Sequence, residues 1–190
     1  MEVDGAGTAI TTEQCLLNPN RNPHLSREQI EGYLRDFLGA ELVLWLKSGI
    51  EGDDTDGHID DIARFVRPGK VVCARQRGAV DANGRVLEEN RAILKRASDL
   101  GGNSLEVVDL PMPTKVDSKY GRLPASYANF YIGNAAVLVP TFGCREDEEA
   151  LDLFQDMFPA RKVVGIDCTA LVQGLGTIHC VTQQVPADIR

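Results

Sequence analysis

The chain has 190 residues, 43% of them hydrophobic and 25% charged, which fits a folded domain with one substantial core and excludes a largely disordered or fibrous chain. Twenty Lys and Arg against 28 Asp and Glu leave a net charge of −8, without the clustered basic residues that phosphate binding requires, so no nucleic-acid partner is expected. Apolar runs such as 135–139 are far too short to cross a bilayer, and the opening Met1-Glu2-Val3-Asp4 lacks the basic start and apolar stretch of a secretory leader. No membrane partner and a cytoplasmic location are therefore expected.

In chain order, β-branched residues predict a strand over 8–17, after which the Asn-Pro-rich run 18–23 forbids regular structure. Ser26, with Glu28 and Gln29 behind it, opens a helix in which Ile30, Tyr33, Leu34, Phe37 and Leu38 recur at helical spacing; Gly39 ends it, and 42–46 reads as a short apolar strand.

Residues 51–61, EGDDTDGHIDD, then place six carboxylates and a histidine between apolar strands. A calcium loop is excluded because Gly57 comes too late and no acid stands twelfth from Asp53 or Asp54. A zinc site would need a second ligand pair, and His58 with Asp60 is the only one in reach. If the segment is extended, His58 and Asp60 share a face, which sets an imidazole beside a carboxylate as a nucleophile's partner and anchor require. A solvated acidic loop is the other reading.

Strands over 62–66 and 70–74 follow as a hairpin around Arg67-Pro68-Gly69, then a helix over 85–100 closed by Gly101-Gly102 and a strand over 105–110. The Pro-rich segment 111–124 reads as a long loop carrying Lys115, Lys119 and Arg122. A second hairpin joins strands over 127–132 and 135–140; a helix over 145–158 with four acids at its start precedes strands over 162–167 and 177–183. Three helices each lead into a strand, two of them preceded by a hairpin, so a strand-strand-helix-strand unit recurs at about fifty to sixty residues, the mark of a radial or stacked repeat.

Five cysteines without a C-x-x-C read as free thiols. Cys15, Cys73 and Cys168 lie in strand-like runs and read as core, while Cys144 and Cys180 have polar neighbours. Cys180 follows a Gly-rich turn, Gln173-Gly174-Leu175-Gly176, which would let backbone approach a ligand closely. On a strand His179 points away from Cys180 and reads as a hydrogen-bonded imidazole outside the chemistry, leaving His58 as the base.

Four segments, GDDTDGHIDD, NPNRNPHLS, SYANFYIGNAAVLVP and GTIHCVTQQ, resemble the agmatine deiminases, related to the bacterial-type peptidylarginine deiminases, and the resemblance runs from about residue 3 to 186. It implies a pentein fold: an α/β propeller of five ββαβ units, here incomplete with about three units, so that 1–190 forms a single domain, the C-terminal part of the propeller. It implies hydrolysis of agmatine to N-carbamoylputrescine and ammonia with no cofactor and no metal. Carried over residue by residue, Cys180 matches the nucleophile, His58 the acid and base, Asp60 a carboxylate that binds guanidinium nitrogens, and Asn129 a position at the substrate. Leu175 replaces a glycine usual in the last motif. Two further carboxylates of the family have no counterpart, so the expected partners are a small cationic guanidino substrate together with a homo-oligomer or a missing N-terminal half. A non-catalytic guanidine-binding or oligomerisation module, and an arginine or peptidylarginine deiminase whose loop cations Lys115, Lys119 and Arg122 meet a carboxylate, are the alternatives.

Overall fold

A computed structural model describes residues 1–77 and 81–185. In chain order the elements are β1 (Glu2–Val3), β2 (Thr8–Thr12), a short helix α1 (Glu13–Leu16), α2 (Arg27–Leu38), β3 (Leu42–Leu46), β4 (Ala63–Arg67), β5 (Lys70–Arg75), α3 (Ala82–Arg96), β6 (Glu106–Pro111), β7 (Asp117–Ser118), β8 (Gly121–Arg122), β9 (Tyr131–Ile132), β10 (Ala136–Thr141), α4 (Glu146–Met157) and β11 (Lys162–Asp167).

The fold is α/β. Three three-stranded sheets share one plan: an antiparallel first pair, then a helical crossover to a parallel third strand, in the orders β1-β2-β3, β4-β5-β6 and β9-β10-β11. The first unit also begins with a hairpin, which the sequence did not announce because Glu2–Val3 is too short to show alternation. β5 has Val71, Val72, Cys73 and Ala74 all fully buried, as a strand covered on both faces must be. α4 sets Ala150 and Phe154 against the third sheet, where the Phe130 and Phe154 rings meet at 4.6 Å between centroids. Cys15, Cys73 and Cys168 are buried as expected.

Four expectations give way, each to a hydrogen bond. The strand over 8–17 stops at Thr12, whose hydroxyl accepts from the Cys15 N–H (3.0 Å) and starts α1. The second helix starts and ends earlier than expected, because Asp81 caps it by accepting from Gly84 N–H (2.9 Å) and the chain turns extended at Ala97. The long loop 111–124 contains the β7-β8 hairpin. Residues 127–130 are not a strand: Ser126 gathers the Ala128 and Asn129 N–H groups (3.1 and 3.3 Å) into a buried turn.

Two buried asparagines on α3 steer the chain leaving β3. Asn90 accepts from Lys47 N–H (2.8 Å) and donates to Ser48 O (2.8 Å), and Asn83 accepts from Glu51 N–H (2.7 Å). Gln14 accepts from Gly49 N–H at 2.8 Å. A Cβ on Gly49 would collide with the Gly57 backbone, so two glycines let the chain entering the acidic segment touch its middle.

Candidate active site

The acidic segment is a built turn around Asp53. Its carboxylate accepts from the N–H groups of Thr55 (2.7 Å), Gly57 (2.9 Å) and His58 (2.9 Å), and from the Thr55 hydroxyl. Gly57 takes φ +80°, and its carbonyl accepts from Thr12 Oγ1 at 2.6 Å. Asp53 thus shapes the turn, whereas Asp54 lines the cleft beyond it. His58 precedes a single 3₁₀ turn, Ile59–Asp61, in place of the expected extended segment, because Ile59 and Ile62 are both drawn into the core. The expected neighbours still meet: His58 Nδ1 stands 3.9 Å from Asp60 Oδ1, beyond direct hydrogen-bond range.

The Cys180 segment also departs from the expected strand and folds as a 3₁₀ turn, His179–Val181. A strand would have sent its N–H groups to a neighbouring strand; here the Asn129 side-chain oxygen collects Thr177 Oγ1 (2.8 Å), His179 N (2.9 Å) and Cys180 N (3.3 Å). Leu175 adopts φ +65°, a conformation glycine takes more readily. Gly176 is required, since a Cβ there would lie 2.8 Å from Cys180 Cβ and 3.0 Å from its sulfur. Successive side chains of a 3₁₀ turn are about 120° apart rather than opposed, so His179 shares the cleft with Cys180 and its Nδ1 donates to Asp60 Oδ2 at 2.7 Å. Sequence alternation had set His179 aside; its place next to a cysteine after a Gly-rich turn was the signal available.

Asn129, expected at the substrate, is fully buried and stands behind the cleft. Its Nδ2 lies 3.1 Å from Asp60 Oδ2, 3.1 Å from Asp61 Oδ1 and 3.0 Å from Cys180 Sγ. Nδ2 carries two hydrogens and accepts nothing, so at most two of these three neighbours receive a full hydrogen bond at once. Burial, reinforced by the Asp60 charge, pushes the Asp61 carboxyl well above the usual range. Asp60 is the ionised member: burial opposes its charge, but the hydrogen bond and charge of His179 outweigh this and hold it well below the usual range. The Cys180 sulfur is open to the cleft on one side and packed on the other; burial there and the carboxylates beside it push the thiol up to about 11, so it is neutral at pH 7. Burial, with help from Arg21, lowers the His58 pKa against the pull of Asp60.

His58, Asp60, Leu175, Gly176, His179 and Cys180 line one cleft of about 600 Å³. Asp60 Oδ1 accepts no hydrogen bond among the described residues, which leaves one carboxylate oxygen for a ligand. Among the described residues no three His, Cys, Asp or Glu side chains group as a metal ion would require, and no helix is long and apolar enough to cross a membrane. The loop cations lie elsewhere: Lys115 pairs with Asp117 (2.9 Å), Arg122 with Asp81 (2.6 Å), and Lys119 rests over Tyr120 (4.6 Å).

The family model for Porphyromonas-type peptidyl-arginine deiminases matches residues 1–186. A provisionally named agmatine deiminase of Legionella pneumophila (strain Paris) is 46% identical over 189 residues, which cover 99% of this chain and 55% of that protein. The agmatine deiminase of Stutzerimonas stutzeri (strain A1501) is 41% identical over 205 residues, covering 98% and 56%. The structure of the Enterococcus faecalis agmatine deiminase superposes with a TM-score of 0.89 at 39% identity, covering 97% of this chain and 55% of the other. The chain therefore spans about half the length of the relatives it matches.

Proposed function

The chain belongs to the Porphyromonas-type peptidyl-arginine deiminase family, and from that premise we propose that it carries the thiol side of a deiminase site that hydrolyses agmatine to N-carbamoylputrescine and ammonia. On this reading its three ββαβ units form one domain, the C-terminal part of a five-unit pentein propeller, in a cytoplasmic enzyme, and the remaining guanidinium-binding groups come from the other part of that propeller.

One observation carries the reading. An ionised carboxylate with a free oxygen, a thiol and two imidazoles from remote stretches of chain converge on one cleft. The free Asp60 oxygen suits a guanidinium N–H, and charge assistance makes that bond strong. The arriving cation supplies the positive charge that a neutral thiol lacks and lowers its pKa. Cys180 then gives its proton to His58 and its sulfur attacks the guanidinium carbon. The C–N bond breaks as His58 passes that proton to the departing ammonia. Water adds to the thiouronium, losing a proton to His58; the C–S bond then breaks as the hydroxyl proton of the intermediate passes to sulfur, releasing the ureido product and the thiol, and His58 gives its proton to solvent. Asn129 and His179 hold Cys180 and Asp60 in place.

The loop cations are engaged away from the cleft, which favours a substrate with a cationic tail over arginine or peptidylarginine. The test is alkylation of Cys180 by iodoacetamide with and without agmatine. Saturating agmatine is expected to protect Cys180; equal rates would refute the reading and leave the oligomerisation module, whether or not the chain turns over substrate by itself.

A further inference from the structure

Arg21 enters the site described so far only as a charge near His58, yet its loop is built to hold it. Asn18 O accepts from the Arg21 and Asn22 N–H groups (3.0 Å each), Asn18 Oδ1 accepts from Asn20 N–H (2.9 Å), and Asn22 Nδ2 donates to Leu16 O (2.7 Å). From this frame one terminal guanidinium nitrogen of Arg21 reaches Thr55 O at 2.9 Å and His58 Nε2 at 2.9 Å. That nitrogen carries two hydrogens and no lone pair. One hydrogen goes to the carbonyl and the other to the ring, so His58 Nε2 must present a lone pair. The ring proton then sits on Nδ1, the side facing Asp60 Oδ1 at 3.9 Å.

We propose that Arg21 is a positioning residue that fixes His58 as the neutral ring protonated on Nδ1, so that His58 gains a proton at Nε2 only when Arg21 lets go. The charges facing the ring fit this assignment. Asp60 and Asp53 favour the imidazolium, while Arg21 and the amino group of Met1 oppose it, and burial opposes it more than any of them. A protonated Nε2 would set donor against donor across 2.9 Å. Resting on the role proposed for His58, the consequence is that transfer of the thiol proton to the ring and release of the Arg21 guanidinium are one event. Until a substrate arrives, both thiol and ring stay neutral.

The experiment is long-range ¹H–¹⁵N NMR of the full chain labelled in its three histidines, His24, His58 and His179, assigned by single His→Gln substitutions. Nε2 of His58 is expected at a pyridine-like shift and Nδ1 at a pyrrole-like shift at neutral pH. In Arg21→Gln the His58 titration midpoint is expected to move to higher pH and the tautomers to mix; Arg21→Lys, which keeps a cationic donor, is expected to restore part of both. A His58 protonated on Nε2 in the unsubstituted chain overturns the proposal, as does a folded Arg21→Gln with an unmoved midpoint. Should Arg21→Gln not fold, the tautomer in the unsubstituted chain decides alone. None of these signals needs turnover, so failure of the deiminase reading, scored by Cys180 protection, is told apart from failure of this one.

Discussion

Asp60 Oδ2 accepts from His179 Nδ1 at 2.7 Å, and this bond, more than any charge in the acidic segment, keeps the carboxylate of the cleft ionised. Four expectations follow from the geometry around it.

Replacing His179 by Ala removes a charge-assisted bond of about 1.5–3 kcal/mol from Asp60. A carboxylate that is freer to protonate and to rotate binds a guanidinium less well. The agmatine concentration that half-protects Cys180 from alkylation is expected to rise about tenfold or more. No change in half-protection would show that His179 does not act through Asp60.

Asn129→Ala takes one donor from Asp60 Oδ2, which keeps His179, and strands Asp61 Oδ1, the Thr177 hydroxyl and the Cys180 N–H in one step. Each unsatisfied group costs about 1–3 kcal/mol, so urea unfolding should show a loss of about 3 kcal/mol or more, and Cys180 should become generally reactive. A loss under about 1 kcal/mol would contradict the assignment of Asn129 as the anchor of the site.

Because the Cys180 thiol is pushed up to about 11, its alkylation rate should rise about tenfold per pH unit from pH 7 to near pH 10, as the small thiolate fraction grows. Asp60→Asn removes a charge that raises this pKa, so alkylation at pH 8 should quicken; burial, the larger cause, persists and keeps the rate below that of a free thiol. Cys15, Cys73 and Cys168 are buried and serve as unreactive references in the same digest.

Gly176→Ala puts a Cβ 2.8 Å from that of Cys180. Overpacking of this kind costs about 1–3 kcal/mol, and the relief available is movement of Cys180. Agmatine protection should fall at least tenfold while thermal unfolding remains cooperative. An unshifted protection curve would mean that the turn can give without moving the sulfur.

Much of the scaffold was legible because its signals are local. Ser26 caps α2 as read, with Gln29 closing the capping box, and Gly39 ends the helix in the left-handed region. The strand over 42–46 and the strand over 162–167 have the expected bounds, because an apolar run between turn residues specifies them. The site was legible in its residue types and partly misread in its conformation. Thr8–Thr12, 127–130 and 177–183 all looked like longer strands, and each was ended or bent by a side-chain hydrogen bond from Thr12, Ser126 or Asn129 whose partner periodicity cannot reveal. The error mattered most at Cys180, where the wrong period put His179 on the wrong side. Arg21 was invisible for a different reason, since it stands in a run without regular structure and its partner His58 lies 37 residues on, beyond α2 and β3.

The Asn129 side chain joins residues 69 positions upstream to residues 51 positions downstream, and Asp60 meets His179 across 119. Contacts of such separation repay their loop-closure entropy only after the intervening units are in place. The cleft is therefore a late product of folding, and the shielding of one thiol, followed after dilution from denaturant, becomes a clock for the last step of the chain's assembly.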